Sequence, residues 1–149
     1  MSVRGFLFLL NLALLCGCEG APASNYDGLG LVPVSGKITL DGQPLPNAVV
    51  TFDAPDGQFA YGLTDANGQY SLQVDSVAKG CPPGPRVVRV STARKILGLN
   101  SSEEGGQEGG EGPPKPKAEE RVPAKYNKDS DQKVEVSKGT TSYDFDLKS

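Results

Sequence analysis

Apolar and polar side chains alternate through residues 32–40. Val32, Val34, Ile38 and Leu40 fall on one face of an extended chain, and the residues that separate Val34 from Leu40 on the opposite face are polar. A period of two is typical of a strand with one buried face. This segment therefore predicts a half-buried β-strand.

Six further segments have strand-like composition, and Gly, Pro, Asp or Asn residues separate them. No stripe of apolar residues at i, i+3 and i+4 runs through residues 32–74, which argues against helix. We predict an all-β fold, a single seven-stranded Greek-key β-sandwich over residues 32–149 that ends in a hairpin. The predicted strands are residues 32–40, 48–53, 59–64, 70–74, 86–92, 133–136 and 143–147.

Two motifs link this pattern to a known family. Residues 34–52 have the form V-x-G-K-I-T-L-D-G-x-P-L-x-x-A-x-V-x-F, and residues 64–70 have the form T-D-x-x-G-x-Y. Together they resemble the carboxypeptidase regulatory-like domain of the transthyretin-like superfamily, over roughly residues 32–147. The whole chain is similar to small bacterial lipoproteins with one such domain. The resemblance implies a transthyretin/prealbumin-like sandwich but indicates little about activity, because such folds have many roles.

The N-terminal residues have the pattern of an export signal. A short basic region at Arg4 is followed by an apolar stretch and then by Leu15-Cys-Gly-Cys18. We interpret residues 1–17 as a signal peptide, Cys18 as a lipidated cysteine of a lipobox-like motif, and residues 18–31 as a flexible tether. Ordinary secretion and a retained membrane anchor are the alternatives. The apolar run is shorter than the roughly 20 residues of a spanning helix.

Three features modify the predicted sandwich. Residues 94–121 are acidic and Gly-rich, and from Asn100 to Glu120 no apolar residue exceeds alanine in size, so we expect a mobile insertion. Cys81 is the only cysteine within the predicted domain, and a small buried core residue is the favoured interpretation over a reactive thiol or an intermolecular disulfide. Arg86 follows the Pro-Pro-Gly turn near the place where related domains often have an aromatic residue.

Composition excludes several kinds of chemistry. The chain has no histidine and a formal net charge of −3. It therefore lacks His-dependent nucleophilic and metal sites, and no basic cluster suggests a nucleic-acid partner. The candidate calcium ligands are the loop residues Asp53, Asp56, Asp65 and Asn67, although such residues usually stabilise their own turns. We expect no cofactor.

These observations favour a non-enzymatic, lipid-anchored protein of the bacterial cell envelope that displays a β-sandwich for binding or structural support. Its partners would be the membrane, through the N-terminal lipid, and an envelope protein or glycan. The alternative is a carbohydrate- or peptide-binding module of the envelope, with Phe59, Tyr61 and Tyr126 as candidate exposed stacking residues. An enzyme of unrecognised type is the third possibility.

Overall fold

The computed structural model describes residues 26–96, 98–101 and 119–149. The predicted signal peptide, Cys18 and most of the predicted insertion lie outside these residues. The described chain is all-β, and its only helical elements are two 3₁₀ turns, Asp27–Leu29 and Ala124–Tyr126. Its strands are β1 Ser35–Leu40, β2 Gln43–Pro44, β3 Val49–Asp53, β4 Phe59–Leu63, β5 Gln69–Ser71, β6 Gly84–Ser91, β7 Lys133–Val136 and β8 Phe145–Leu147.

Strand β1 organises the first sheet. Its first half pairs with β5 and its second half with β2, both antiparallel. The opposite edge of β1 pairs in parallel with β8, so Leu40 lies opposite both Gln43 and Leu147. The sheet is therefore mixed rather than purely antiparallel.

The second sheet has the order β4-β3-β6-β7 and is antiparallel throughout. Strands β7 and β8 consequently belong to different sheets, and the predicted closing hairpin is wrong. One isolated bridge between Ser137 and Thr140 closes a turn after β7. Beyond that turn the chain crosses to the first sheet. There Leu147 is part of the shared core and Phe145 packs against it.

The two sheets enclose one apolar core. Its members come from both sheets, and Ile38, Phe52, Val88 and Leu147 are each at most 1% exposed. The alternation predicted for β1 is confirmed, since Val34 and Ile38 are buried whereas Ser35 and Lys37 are exposed. Within the described residues, no helix is long and apolar enough to cross a membrane.

Each of the seven predicted strands overlaps an observed strand, and β2 is an additional one. Prolines disfavour strand pairing because they lack a backbone N–H, yet Pro44 lies opposite Thr39. A proline is tolerated in an edge strand when its missing N–H is not needed for pairing. The next residue restores the pairing, because Leu45 N–H donates to Ile38 O at 3.0 Å.

Strand β3 is buried on both faces. Strict alternation in this strand would bury Val50 and Phe52 and expose Val49 and Thr51, but Val49 and Thr51 are also only 1% exposed. β3 is a central strand, and the chain after β6 covers its outer face. Arg94 Nη1 donates to Thr51 Oγ1 at 3.3 Å as part of that cover.

The buried phenol of Tyr70 predicts a loss of stability in alkali. Its hydroxyl donates to Tyr143 O at 2.7 Å, and burial, together with the nearby Asp144 charge, raises the pKa of Tyr70 far above its usual value. Since the folded state retains the proton, stability is intact below the unfolded pKa of about 10 and is lost as the pH rises above it. Urea unfolding between pH 7 and 11 should show a steeper alkaline decline for the native chain than for Tyr70→Phe. Equal declines would contradict this assignment.

Candidate binding cleft

A cleft of about 310 Å³ opens at one end of the sandwich, where β3 turns into β4 and β6 begins. We call it the end cleft. Its walls include Tyr26, Leu29, Phe59, Asp75, Pro82 and Arg86. Leu29 and Phe59 are 36% and 39% exposed, and both are large apolar side chains. The end cleft thus combines an apolar rim with an acidic and a basic group.

The loop between β3 and β4 places Phe59 on the rim. Gly57 has a φ of 87°, a left-handed conformation that glycine adopts without steric penalty. Asp56 Oδ1 accepts a hydrogen bond from Gln58 N–H at 3.0 Å and stabilises the turn. The centroids of the Phe59 and Tyr61 rings lie 6.0 Å apart, and Arg94 Cζ lies 5.2 Å from the centroid of the Phe59 ring. These contacts hold an aromatic face at the surface.

Tyr26 joins the chain that precedes the domain to the end cleft. Its hydroxyl donates a hydrogen bond to Asp75 Oδ2, and Asp75 Oδ1 accepts from the N–H groups of Val77 and Ala78 at 2.8 Å each. These hydrogen bonds, that of Tyr26 foremost, hold the pKa of Asp75 below its usual value. Residues 26–29 fall within the predicted tether, but they lie against the domain.

Arg86 lines the end cleft and was not predicted as a site residue. It shares the inward parity of Val88 and Val90 on β6 and is only 6% exposed. Its Nη2 donates to Pro82 O at 2.9 Å, while its Nε and Nη1 are buried without a hydrogen-bond partner. The sequence did indicate this burial, because Arg86 alternates with Val88 and Val90 along the strand and its side chain therefore points to the same side as theirs.

Cys81 is a buried free cysteine beside this arginine. Its thiol lies 3.4 Å from Pro82 O, the same carbonyl that accepts from Arg86. Burial raises the pKa of the Cys81 thiol, and the positive charge of Arg86 acts in the opposite direction. The prediction of a small buried core residue is confirmed, and the raised pKa disfavours the reactive thiolate.

The candidate calcium ligands are divided between opposite ends of the β3–β4 hairpin. Asp53 pairs with Phe59 at one end, and its Oδ2 accepts from Arg89 Nε at 2.9 Å. Asp65 follows the other end and accepts from the N–H groups of Asn67 and Gln69 at 2.8 and 2.9 Å. In the described part of the chain, no group of three or more acidic or cysteine side chains could hold a metal ion.

The three candidate stacking residues also separate. Phe59 and Tyr61 form the surface pair described above, with Tyr61 half-buried. Tyr126 is remote from them in the second 3₁₀ turn, where it packs against the core and its hydroxyl accepts from Lys148 N–H at 3.2 Å. Only Phe59 lines the end cleft.

The C-terminal end of the predicted insertion is tied to the domain by Glu120. Its carboxylate accepts hydrogen bonds from the N–H groups of Thr92 and Val122 at 3.0 Å each, from Asn127 Nδ2 at 2.8 Å and from the Ser91 hydroxyl. Burial opposes the negative charge, but these hydrogen bonds prevail and lower the pKa of Glu120. Residues 122–127 thus lie next to β6.

The architecture defines this chain as an all-β protein with two sheets around one core and a small cleft at one end. No protein-family model, curated protein or solved structure significantly matches the chain.

Proposed function

We propose that this chain is a non-enzymatic, lipid-anchored protein of the bacterial cell envelope that binds a ligand or partner through its end cleft. The domain would be a transthyretin-like Greek-key sandwich of the carboxypeptidase regulatory-like kind, preceded by a signal peptide and a lipidated Cys18. One observation supports the binding role above all. Phe59, an exposed aromatic residue, and Tyr26, which leads towards Cys18, line the same cleft.

The position of Tyr26 places the end cleft close to the proposed anchor. Only eight residue steps separate Cys18 from Tyr26, which span at most about 29 Å in a fully extended chain. A lipidated Cys18 would therefore hold the cleft within that distance of the membrane surface. Such a short reach favours a partner that is itself in the membrane or in the layer next to it.

The aromatic rim favours a peptide or carbohydrate as the bound group, which is the more specific alternative function. An exposed ring flanked by Tyr61 and Arg94 offers a flat apolar face to a sugar ring or an apolar side chain. A purely structural role for the domain does not require this face to be exposed.

Cross-linking in intact cells followed by affinity recovery tests the proposal. We expect one envelope protein or glycan to be recovered with the native chain, and recovery to fall about tenfold or more with Phe59→Ser, as for other aromatic binding residues. Cys18→Ala should lose both incorporation of labelled palmitate and recovery of the partner. Val77→Ser is the matched control, because Val77 is 75% exposed and lies outside the cleft lining.

Each outcome separates one part of the proposal from the others. Equal recovery with Phe59→Ser and the native chain would contradict the binding of an envelope partner through the cleft and favour structural support. Palmitate incorporation that survives Cys18→Ala would remove the lipid anchor at this residue. Hydrolysis of an envelope component by the purified chain, abolished by a single Asp→Asn change, would replace the non-enzymatic proposal.

A further inference from the structure

The guanidinium of Arg86 is left without most of its hydrogen bonds. A guanidinium carries five N–H donors, one on Nε and two on each terminal nitrogen. The Nε donor and both Nη1 donors are buried and unpartnered, and Nη2 donates to Pro82 O. Almost all buried polar groups have partners, so three free donors on one charged side chain call for an acceptor.

The neighbouring acidic groups do not supply that acceptor. Asp53, whose Oδ1 is itself unpartnered, pairs with Arg89 on the outer face of the sheet, while Arg86 has the inward parity. Asp75 lines the same cleft, but its oxygens accept from Tyr26, Val77 and Ala78. Among the ion pairs of the described residues, none includes Arg86. A buried charge without a counter-ion is strongly unfavourable.

The hydrogen bond to Pro82 places the guanidinium beside the end cleft, and Arg86 also lines a second cleft of about 430 Å³ together with Asp53. Pro82 and Arg86 both line the end cleft, and the bond between them is 2.9 Å long. Phe59 and Leu29 form the apolar rim above the charge. Nε and Nη1 are closed to solvent, so a ligand would have to displace part of the cleft wall, to which Leu29 of the 3₁₀ turn Asp27–Leu29 belongs, in order to reach them.

We propose that the end cleft recognises a single carboxylate with an adjacent apolar part: the carboxylate oxygens accept hydrogen bonds from Arg86, and the apolar part packs against Phe59 and Leu29. Guanidinium and carboxylate groups match in charge and planar geometry. The charge of Asp75 in the same cleft disfavours a dianion such as phosphate. This inference rests on the proposed binding role of the cleft and names the chemical class of its ligand.

Thermal unfolding of the full chain in detergent, at constant pH and ionic strength, tests the proposal with benzoate as the probe. At about ten times its Kd, benzoate should raise the Tm by about 5 °C. Benzamide, its neutral isostere, should leave the Tm unchanged, and inorganic phosphate should raise it less than benzoate. In Arg86→Met the Tm without ligand should equal or exceed that of the native chain, because an unpaired buried charge is removed, and the benzoate shift should disappear.

Arg89→Met is the matched control. It should lower the Tm, because Arg89 binds Asp53 and the carbonyls of Asn127 and Lys128, yet it should retain the benzoate shift. The native chain alone can overturn the proposal, whether or not the variants fold, if benzoate gives no shift or the same shift as benzamide. An equal benzoate shift in Arg86→Met would also overturn it. Benzoate binding together with unchanged cellular recovery for Phe59→Ser would instead contradict only the proposed envelope partner.

Discussion

Gly36→Ala should lower the free energy of unfolding by about 3–5 kcal/mol, one of the largest effects of any single substitution in this domain. An added Cβ would overlap the backbone carbonyl oxygen of Tyr143 and lie 2.6 Å from its carbonyl carbon. That carbonyl cannot move away easily, since the Tyr70 hydroxyl donates to it at 2.7 Å and Tyr143 N–H donates to Ser35 O at 2.9 Å. Urea unfolding monitored by tyrosine fluorescence measures the change.

Gly28→Ala is the control for this substitution. The position has no atom within 4 Å of an added Cβ, and Gly28 lies in an exposed 3₁₀ turn. We expect its effect to stay within about 0.5 kcal/mol, as for most surface substitutions. Similar urea midpoints for Gly36→Ala and Gly28→Ala would contradict the close contact between Gly36 and the Tyr143 carbonyl group.

The strand pattern could be predicted because the two sheets bury one face each. In β1 and β6, side chains of one parity enter the core, so alternation in the sequence reports burial directly. The rule failed at β3, where Thr51 lies in a central strand whose outer face is covered by the chain around Arg94. That cover depends on contacts distant in sequence, which a local period cannot reveal.

Pairing between strands was predicted less well than the strands themselves. The sequence predicted a closing hairpin, but β7 extends the second sheet and β8 joins β1 in parallel. A local turn signal constrains the chain direction only over a few residues. The parallel pairing of β8 with β1 is accompanied by contacts distant in sequence, the Lys37 N–H to Asp144 Oδ1 hydrogen bond of 2.8 Å and the packing of Phe145 against the core.

The candidate site was predicted only in part. Phe59 could be identified because an aromatic residue at the start of an edge strand, directly after a polar turn, is poorly placed for burial. Tyr26 was missed because its partner, Asp75, lies 49 residues away in a loop. Arg86 was seen as a departure from the related domains, but its missing hydrogen bonds depend on the three-dimensional surroundings of β6.

Phe52→Ala should lower the free energy of unfolding by about 3–5 kcal/mol, because it removes the largest fully buried side chain of the core. The Phe52 ring lies 5.7 Å from that of Tyr143 and 6.4 Å from those of Tyr70 and Phe145, so one residue joins β3 to both edges of the first sheet. The loss is a large share of the 5–15 kcal/mol that stabilises a typical domain. Urea unfolding should show an early midpoint with an unchanged slope.

Phe59→Ala is the control, because it makes the same substitution at a partly exposed position. Phe59 is 39% exposed, and its contacts are with Tyr61 and Arg94 at the surface, so we expect a loss of less than about 1 kcal/mol. The two variants should also separate stability from binding. Phe52→Ala should bind benzoate with native affinity in the fraction that remains folded, whereas Phe59→Ala should keep most of its stability and lose affinity. A native benzoate affinity in Phe59→Ala would place the ligand elsewhere than the end cleft.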